Sequence, residues 1–185
     1  MKSKKLGKSK KILLVIGGIL ILLIISIATF YFTVISPAFV SKPDIEKPSL
    51  EGIFNPDGSI KEEAQVTGEY IRYLVNELGA YKLHNPPFKD EVPEILYVIS
   101  DDGEVFDVKI IDNNPEVIEG DSDTADLKLT SSKEVVFRLI ASEDVRGSAL
   151  NSYEEGEIEI EATNDLTTLG LKGYKAVYDS ITENN

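Results

Sequence analysis

The sequence predicts an α+β domain with a mainly antiparallel sheet, preceded by one transmembrane helix. Residues 12–35 form an apolar run of 24 residues without a charge. Farther along the chain, some segments alternate apolar and polar residues, as half-buried strands do, and others repeat apolar residues every three or four positions, as amphipathic helices do. These segments follow one another as helix, hairpin, strand, two helices, strand and helix, an order that is typical of the α+β class.

The apolar run has the length and the flanks of a membrane span. At about 1.5 Å of rise per residue, its 24 residues reach about 36 Å as a helix, which exceeds a hydrocarbon core of about 30 Å. The apolar core of a cleaved secretory signal is shorter, at about 7–15 residues. We therefore interpret residues 12–35 as an uncleaved signal anchor that ends before Pro37.

The distribution of charge predicts the orientation of the span. The 185 residues include 19 Lys or Arg and 32 Asp or Glu, for a net charge of −13. Six lysines lie in residues 1–11, so the remainder carries 13 basic and 32 acidic residues, a balance of −19. Because basic residues mark the cytoplasmic side of a span, we expect a single-pass protein of the cell membrane. Its parts are a basic cytoplasmic tail (1–11), the span (12–35), a Pro-containing stalk (36–52) and one extracellular domain (53–182).

The first half of the domain is predicted to hold a long helix and a hairpin. Apolar residues recur at helical spacing from Ile60 to Leu78, and Gly79 ends the pattern. Residues 95–99 and 104–111 are rich in apolar β-formers and flank an Asp-Gly turn, which predicts two antiparallel strands. Apolar side chains alternate along the second strand and share its buried face.

An acidic loop and two helices are predicted next. The loop covers residues 112–126 and leads into a strand at 127–130. Ser131 stands three residues before Glu134, as the first residue of a capping box does, and predicts the start of a helix. A short second helix is expected after Gly147.

The end of the domain is predicted to be a strand and one closing helix. Residues 156–162 begin with Gly, alternate Glu and Ile over 157–161 and end with Ala, a pattern that is typical of a strand with one solvated face. Asn164 or Asp165 can cap the helix that follows, and its apolar stripe extends to Ile181.

The composition excludes cysteine-based catalysis and several kinds of metal site. The chain has no Cys and a single histidine, His84, so thiolate zinc sites, cysteine nucleophiles and multi-histidine metal sites cannot be built. The acidic loop lacks the Gly and the final Glu of a calcium loop. Basic residues cluster only in the tail, which argues against nucleic acid as a partner. We expect no catalytic residue, no metal and no cofactor, and we do not expect an enzyme.

The last third of the chain carries a recognisable succession of elements. Residues 124–130 form an Asp-containing strand with alternating apolar residues, 131–142 the helix after it, and 156–161 a Gly-led strand before a closing helix. This succession resembles the sterol carrier protein family, which consists of small α+β lipid-binding domains. With the preceding helix and hairpin, the likeness covers residues 60–181.

The resemblance implies a curved five-stranded sheet whose covering helices enclose a hydrophobic tunnel for acyl or isoprenoid chains. Its candidate lining consists of apolar residues from both helices and strands. They are Phe106, Val108, Val136, Phe137, Ile140, Ile158, Ile160, Leu169, Val177 and Ile181.

Two functions fit the sequence. The first is a membrane-anchored, non-catalytic domain that binds a lipid or another apolar small molecule beside the outer leaflet. The alternative is a protein–protein interaction or assembly module of the cell envelope, with a packed core and no ligand. Amphipathic periodicity fits both, because it marks a buried face whether that face is packed or hollow.

Overall fold

A computed structural model of the chain describes residues 19–27, 30 and 40–182, the last three by their backbone alone. Residues 19–27 of the predicted span are helical. The predicted tail, the rest of the predicted span apart from residue 30, and the start of the predicted stalk lie outside the described residues. Within the described residues, no helix combines the length and the apolar character that a membrane crossing requires.

A five-stranded mixed sheet forms the base of the domain. Its strands are β1 (Glu94–Ile99), β2 (Val105–Ile111), β3 (Asn114–Glu119), β4 (Leu127–Ser131) and β5 (Ile158–Ala162). They lie in the order β3-β2-β1-β4-β5. Three of the four pairings are antiparallel, in line with the prediction, but the central β1–β4 pair is parallel. The sheet is therefore mixed, because β3 and β4 run in the same direction and the loop between them returns the chain past both β2 and β1.

The helices cover one face of this sheet, which we call the inner face. They are α1 (Gly68–Leu78), a 3-10 turn (Ala80–Lys82), α2 (Lys133–Ala141), α3 (Val145–Glu154), α4 (Leu166–Leu171) and α5 (Tyr174–Thr182). Inner-face side chains such as Val108, Ile99 and Tyr97 are almost fully buried in one apolar core. The outer face carries solvated residues, among them Glu159 and Glu161. The α+β class predicted from the sequence is confirmed.

The strand β3 is the element that the sequence prediction missed. The hairpin of β1 and β2 is confirmed, with Phe106 and Val108 buried on the inner face. The prediction of a loop over 112–126 is wrong in its first half, because β3 lies within it and places Val117 opposite Val108. Pro115 masked this strand, and a proline is tolerated there because β3 is an edge strand.

Two helix boundaries differ from the prediction for local reasons. α1 begins at Gly68 rather than near Ile60, because Ile60 forms an antiparallel bridge with Phe54. The predicted closing helix is divided into α4 and α5, because Gly173 between them has a φ of 90°, outside the helical region. Asp165 caps α4, as predicted, and its side chain accepts hydrogen bonds from the amides of Thr167 and Thr168.

The middle helices also begin one or two residues away from their predicted starts. Ser132, not Ser131, caps α2, and its hydroxyl accepts a hydrogen bond from the Val135 amide at 3.3 Å. α3 begins before Gly147, because Asp144 caps it through the Gly147 amide at 3.0 Å.

Candidate functional site

An apolar cavity of about 560 Å³ lies between the sheet and the C-terminal helices. Its floor is the inner face of β1, β4 and β5, where the strand register places Ile95 beside Leu127 and Leu129 between Tyr97 and Ile160. Helices α3, α4 and α5 form its walls, and the end of α1 closes it. One charged residue, Lys175, stands among the described lining residues.

The structure brings four of the ten predicted lining residues to this cavity. Ile158 and Ile160 belong to its floor, and Leu169 and Val177 to its helical wall. Ile181 lies in α5, but its side chain is outside the described part of the chain.

The other five predicted residues lie in the packed core. Phe106 and Val108 are buried on the inner face of β2, beyond the cavity. Val136, Phe137 and Ile140 of α2 have no exposed surface, and Phe137 packs edge-to-face on Tyr70 with ring centroids 5.2 Å apart. The α2 side chain that reaches the cavity is instead Leu139.

Sequence reasoning missed most of the cavity. Its further lining residues are Val75, Leu78, Ala80, Leu83, Ile95, Tyr97, Leu127, Leu129, Ala149, Leu150, Tyr153, Leu166, Gly170, Tyr174 and Tyr178. The alternation of apolar residues in β1 and β4 marked the floor as buried. It carried no signal that these strands are neighbours, because a parallel pair joins segments that are far apart in the chain.

The hydroxyl groups of the two buried tyrosines that line the cavity, Tyr97 and Tyr174, are paired with protein. The Tyr97 hydroxyl and the Ser131 hydroxyl lie 2.8 Å apart in a hydrogen bond. Burial raises the pKa of Tyr97 to about 12, although this hydrogen bond acts in the opposite direction. The phenol is therefore neutral at physiological pH. A molecule inside the cavity would meet a mainly apolar surface in the described interior.

A buried ion pair holds the α4–α5 junction against the sheet. Lys172 Nζ contacts the two carboxylate oxygens of Asp126 at 2.8 and 2.9 Å, and both residues are nearly inaccessible to solvent. Three further donors reach the same carboxylate, namely the Tyr174 hydroxyl at 3.0 Å, the Glu94 amide at 2.9 Å and the Asn164 side-chain amide at 3.1 Å. A buried charge needs such partners, since its desolvation costs several kcal/mol.

Tyr174 connects this ion pair to the cavity. Its ring lines the cavity, and its hydroxyl also donates to the Glu94 carbonyl at 3.1 Å. Burial and the nearby Asp126 carboxylate raise the pKa of Tyr174 well above its ordinary value. The network thus fixes one wall of the cavity without placing an unpaired charge in it.

The cavity opens to solvent through a rim of exposed apolar residues. Leu166 is 84% exposed, and Tyr178, Ile160 and Tyr153 are about half exposed. These four residues line the cavity and lie on α4, α5, β5 and α3. We call them the apolar rim.

A second hollow of about 770 Å³ differs in character. It lies between the start of α1 and β3, and Glu69, Arg72 and Glu116 are among its lining residues. The Arg72 guanidinium already donates to the Pro115 carbonyl at 3.0 Å and to the Asn114 side chain at 3.2 Å. In the described part of the chain, no three acidic or histidine side chains come together as a metal site.

No protein-family model matches the chain, and no curated protein matches it. Among solved structures, it is similar to the SCP2 domain of the ubiquinone synthesis protein UbiJ, at 12% identity over 48% of this chain and 70% of that one, with a TM-score of 0.33. It is also similar to palmitated SCP2L2 from Aedes aegypti, at 16% identity over 61% of this chain and 91% of that one, with a TM-score of 0.35.

A further similar structure is the sec-alkylsulfatase Pisa1 from Pseudomonas sp., at 12% identity and a TM-score of 0.34. The match covers 53% of this chain and 14% of the sulfatase.

Proposed function

We propose that this chain is a membrane-anchored, non-catalytic protein whose extracellular domain binds a lipid or a similar apolar molecule. The observation that carries the proposal is the apolar cavity of about 560 Å³, a volume within the range of about 300–1,000 Å³ of small-molecule sites. The apolar run at 12–35 and the six lysines before it support the anchor and its orientation.

The chemistry of the lining favours an apolar occupant over water. An ordered buried water needs two to four polar partners, whereas the Tyr97 and Tyr174 hydroxyls are bonded to protein. Water in such a space is poorly held, and an apolar group that displaces it gains affinity. The described lining is mostly apolar, and the hydroxyl of the lining residue Tyr174 is bonded to the buried Asp126 carboxylate, which supports a binding role.

The test replaces two alanines on neighbouring helices, one at a time, with phenylalanine. Ala149 of α3 is buried and lines the cavity, whereas Ala141 at the end of α2 is exposed. The full chain in mild detergent is titrated with a fluorescent fatty acid, cis-parinaric acid. We expect Ala149→Phe to weaken binding at least tenfold, because the new ring takes up part of the space that the acyl chain of the probe would occupy, and Ala141→Phe to leave binding unchanged.

The melting temperature of the same variants separates a hollow from a packed interior. A phenyl ring added to a hollow leaves the melting temperature unchanged or raises it, while overpacking a filled core costs about 1–3 kcal/mol. A destabilised Ala149→Phe variant, together with no probe uptake by the unsubstituted chain, would refute ligand binding and favour the interaction module.

A further inference from the structure

The predicted stalk is partly attached to the domain. Lys42 forms an ion pair with Glu77 at 2.5 Å, and the Pro43 carbonyl accepts a hydrogen bond from Asn76 at 3.2 Å. The Tyr70 hydroxyl donates to the Ser49 carbonyl at 2.9 Å. The chain therefore joins the domain at about residue 42, beside the C-terminal end of α1.

The length left between the span and this junction is short. Seven Cα–Cα steps separate Ile35, the last residue of the predicted span, from Lys42, and they cover at most about 25 Å when extended. A domain of 130 residues has a radius of gyration of about 14 Å and is therefore roughly 36 Å across. Because a tether of at most about 25 Å cannot reach across a domain of about 36 Å, an anchored domain cannot turn the side that carries Lys42 directly away from the bilayer.

One residue of the apolar rim, Tyr153, lies near this junction. The Glu77 carbonyl, next to the Lys42 contact, accepts a hydrogen bond from Arg146 of α3 at 2.8 Å. Leu150 and Tyr153 follow Arg146 at helical spacings of four and seven, and both line the cavity. Along α3 the distance from Arg146 to Tyr153 is about 10 Å, so the junction and the apolar rim are close neighbours.

The chemistry of the rim matches a neutral lipid surface. Leu166 and Ile160 present aliphatic groups, and Tyr153 and Tyr178 present rings with a polar tip, the combination that is enriched at membrane interfaces. Acidic residues flank the rim in sequence, at Glu154, Glu155 and Asp165, and would be repelled by anionic headgroups.

We propose, on the basis of the membrane anchor proposed above, that the apolar rim docks onto the outer surface of the bilayer that anchors the chain. The occupant of the rim is zwitterionic lipid. In this arrangement the cavity opens directly against the membrane, and an apolar ligand passes between them without crossing water.

The absence of cysteine makes a direct test simple. Leu166→Cys places a thiol on the rim, and Ile118→Cys places one on the outer face of β3, where the native isoleucine is 63% exposed. Each full-length variant is labelled with the fluorophore NBD and reconstituted into phosphatidylcholine vesicles that contain lipids with quenchers near the headgroup. We expect several-fold quenching at position 166, little at 118, and weaker quenching at 166 when phosphatidylglycerol is added.

Two controls separate this proposal from the proposed function. Vesicle flotation reports anchoring, and cis-parinaric acid uptake reports the cavity. An unquenched label at 166 in chains that float and take up the probe would overturn docking alone. A label at 166 that is shielded from water but not reached by the lipid quenchers would overturn it in favour of a protein contact. Quenching at 166 without probe uptake would support docking and refute ligand binding. A chain that does not float with the vesicles would overturn both the anchor and the docking.

Discussion

Lys172 is the side chain whose loss should most clearly reveal how the α4–α5 junction is held. Its ammonium group is the counter-ion of Asp126, which has no exposed surface, and it also donates to the Val92 carbonyl at 3.0 Å. We predict that Lys172→Met, which keeps the length and the apolar stem, strongly destabilises the domain because it leaves a buried carboxylate without its cation.

The expected magnitude follows from the remaining partners. Breaking a buried ion pair from one side costs about 3–5 kcal/mol. Tyr174, Glu94 and Asn164 still donate to Asp126 in the variant, so we expect the lower end, about 3 kcal/mol. With a urea dependence of about 1–3 kcal/mol per molar, the unfolding midpoint should fall by about 1–3 M.

The assay is urea unfolding of the full chain in mild detergent, followed by circular dichroism. The matched control is Lys175→Met on the next turn, because Lys175 is 77% exposed and pairs with Asp179 at the surface. Such an i,i+4 pair contributes about 0.3–0.5 kcal/mol. Equal midpoints for the two variants would refute the role assigned to the buried pair.

A double variant tests the physical reason for the effect. Asp126→Asn combined with Lys172→Met removes both charges and so leaves no unpaired ion in the interior. We expect it to lose less stability than the two single substitutions added together, as is seen when both members of a buried pair are replaced. Full additivity would show that the two side chains act independently.

Two further predictions concern the core. Phe137→Ala should lower the free energy of unfolding by about 3–5 kcal/mol, because Phe137 is fully buried. The control Ile118→Ala, at an exposed site, should change it by less than about 0.5 kcal/mol in the same urea titration. Similar losses of stability in the two variants would contradict the assigned core. Burial raises the pKa of Tyr97 from 10.0 to about 12. Between pH 10 and 12 the folded state therefore keeps the phenol proton while the unfolded state releases it. The free energy of unfolding should fall by up to about 2.7 kcal/mol over this range. Tyr97→Phe should remove this contribution to the loss of stability at alkaline pH and leave the contribution of Tyr174. An unchanged dependence of stability on pH in the variant would contradict the prediction.

Local patterns predicted most elements but not their junctions. The alternation in β2 and in β5 was sufficient, because residues two apart on a strand share a face whatever the strand pairs with. The same logic failed at Gly173, which looks like an interior glycine of one helix until its positive φ divides α4 from α5. It failed at Ile60 as well, since helical spacing there coincides with a bridge to Phe54.

The candidate site was less predictable than the fold. Val136 and Leu169 cannot be told apart by periodicity, because both lie on apolar helical stripes, yet the first is in the packed core and the second lines the cavity. The partner of Asp126 could not be inferred either, because Lys172 is 46 residues away in the chain.

The sequence by itself determined the class of the domain, its buried faces and the sharp division between an apolar, lysine-flanked N-terminal segment and an acidic remainder. These properties are local, since periodicity and charge are read along the chain. Only the tertiary structure decided that part of the inner face is hollow, where the hollow opens, and which buried charges meet beside it. The volume of a cavity is the space that the helices and the sheet enclose minus the volume of the side chains inside that space. The enclosed space depends on the strand order and on the placement of the helices, and no local sequence pattern specifies either.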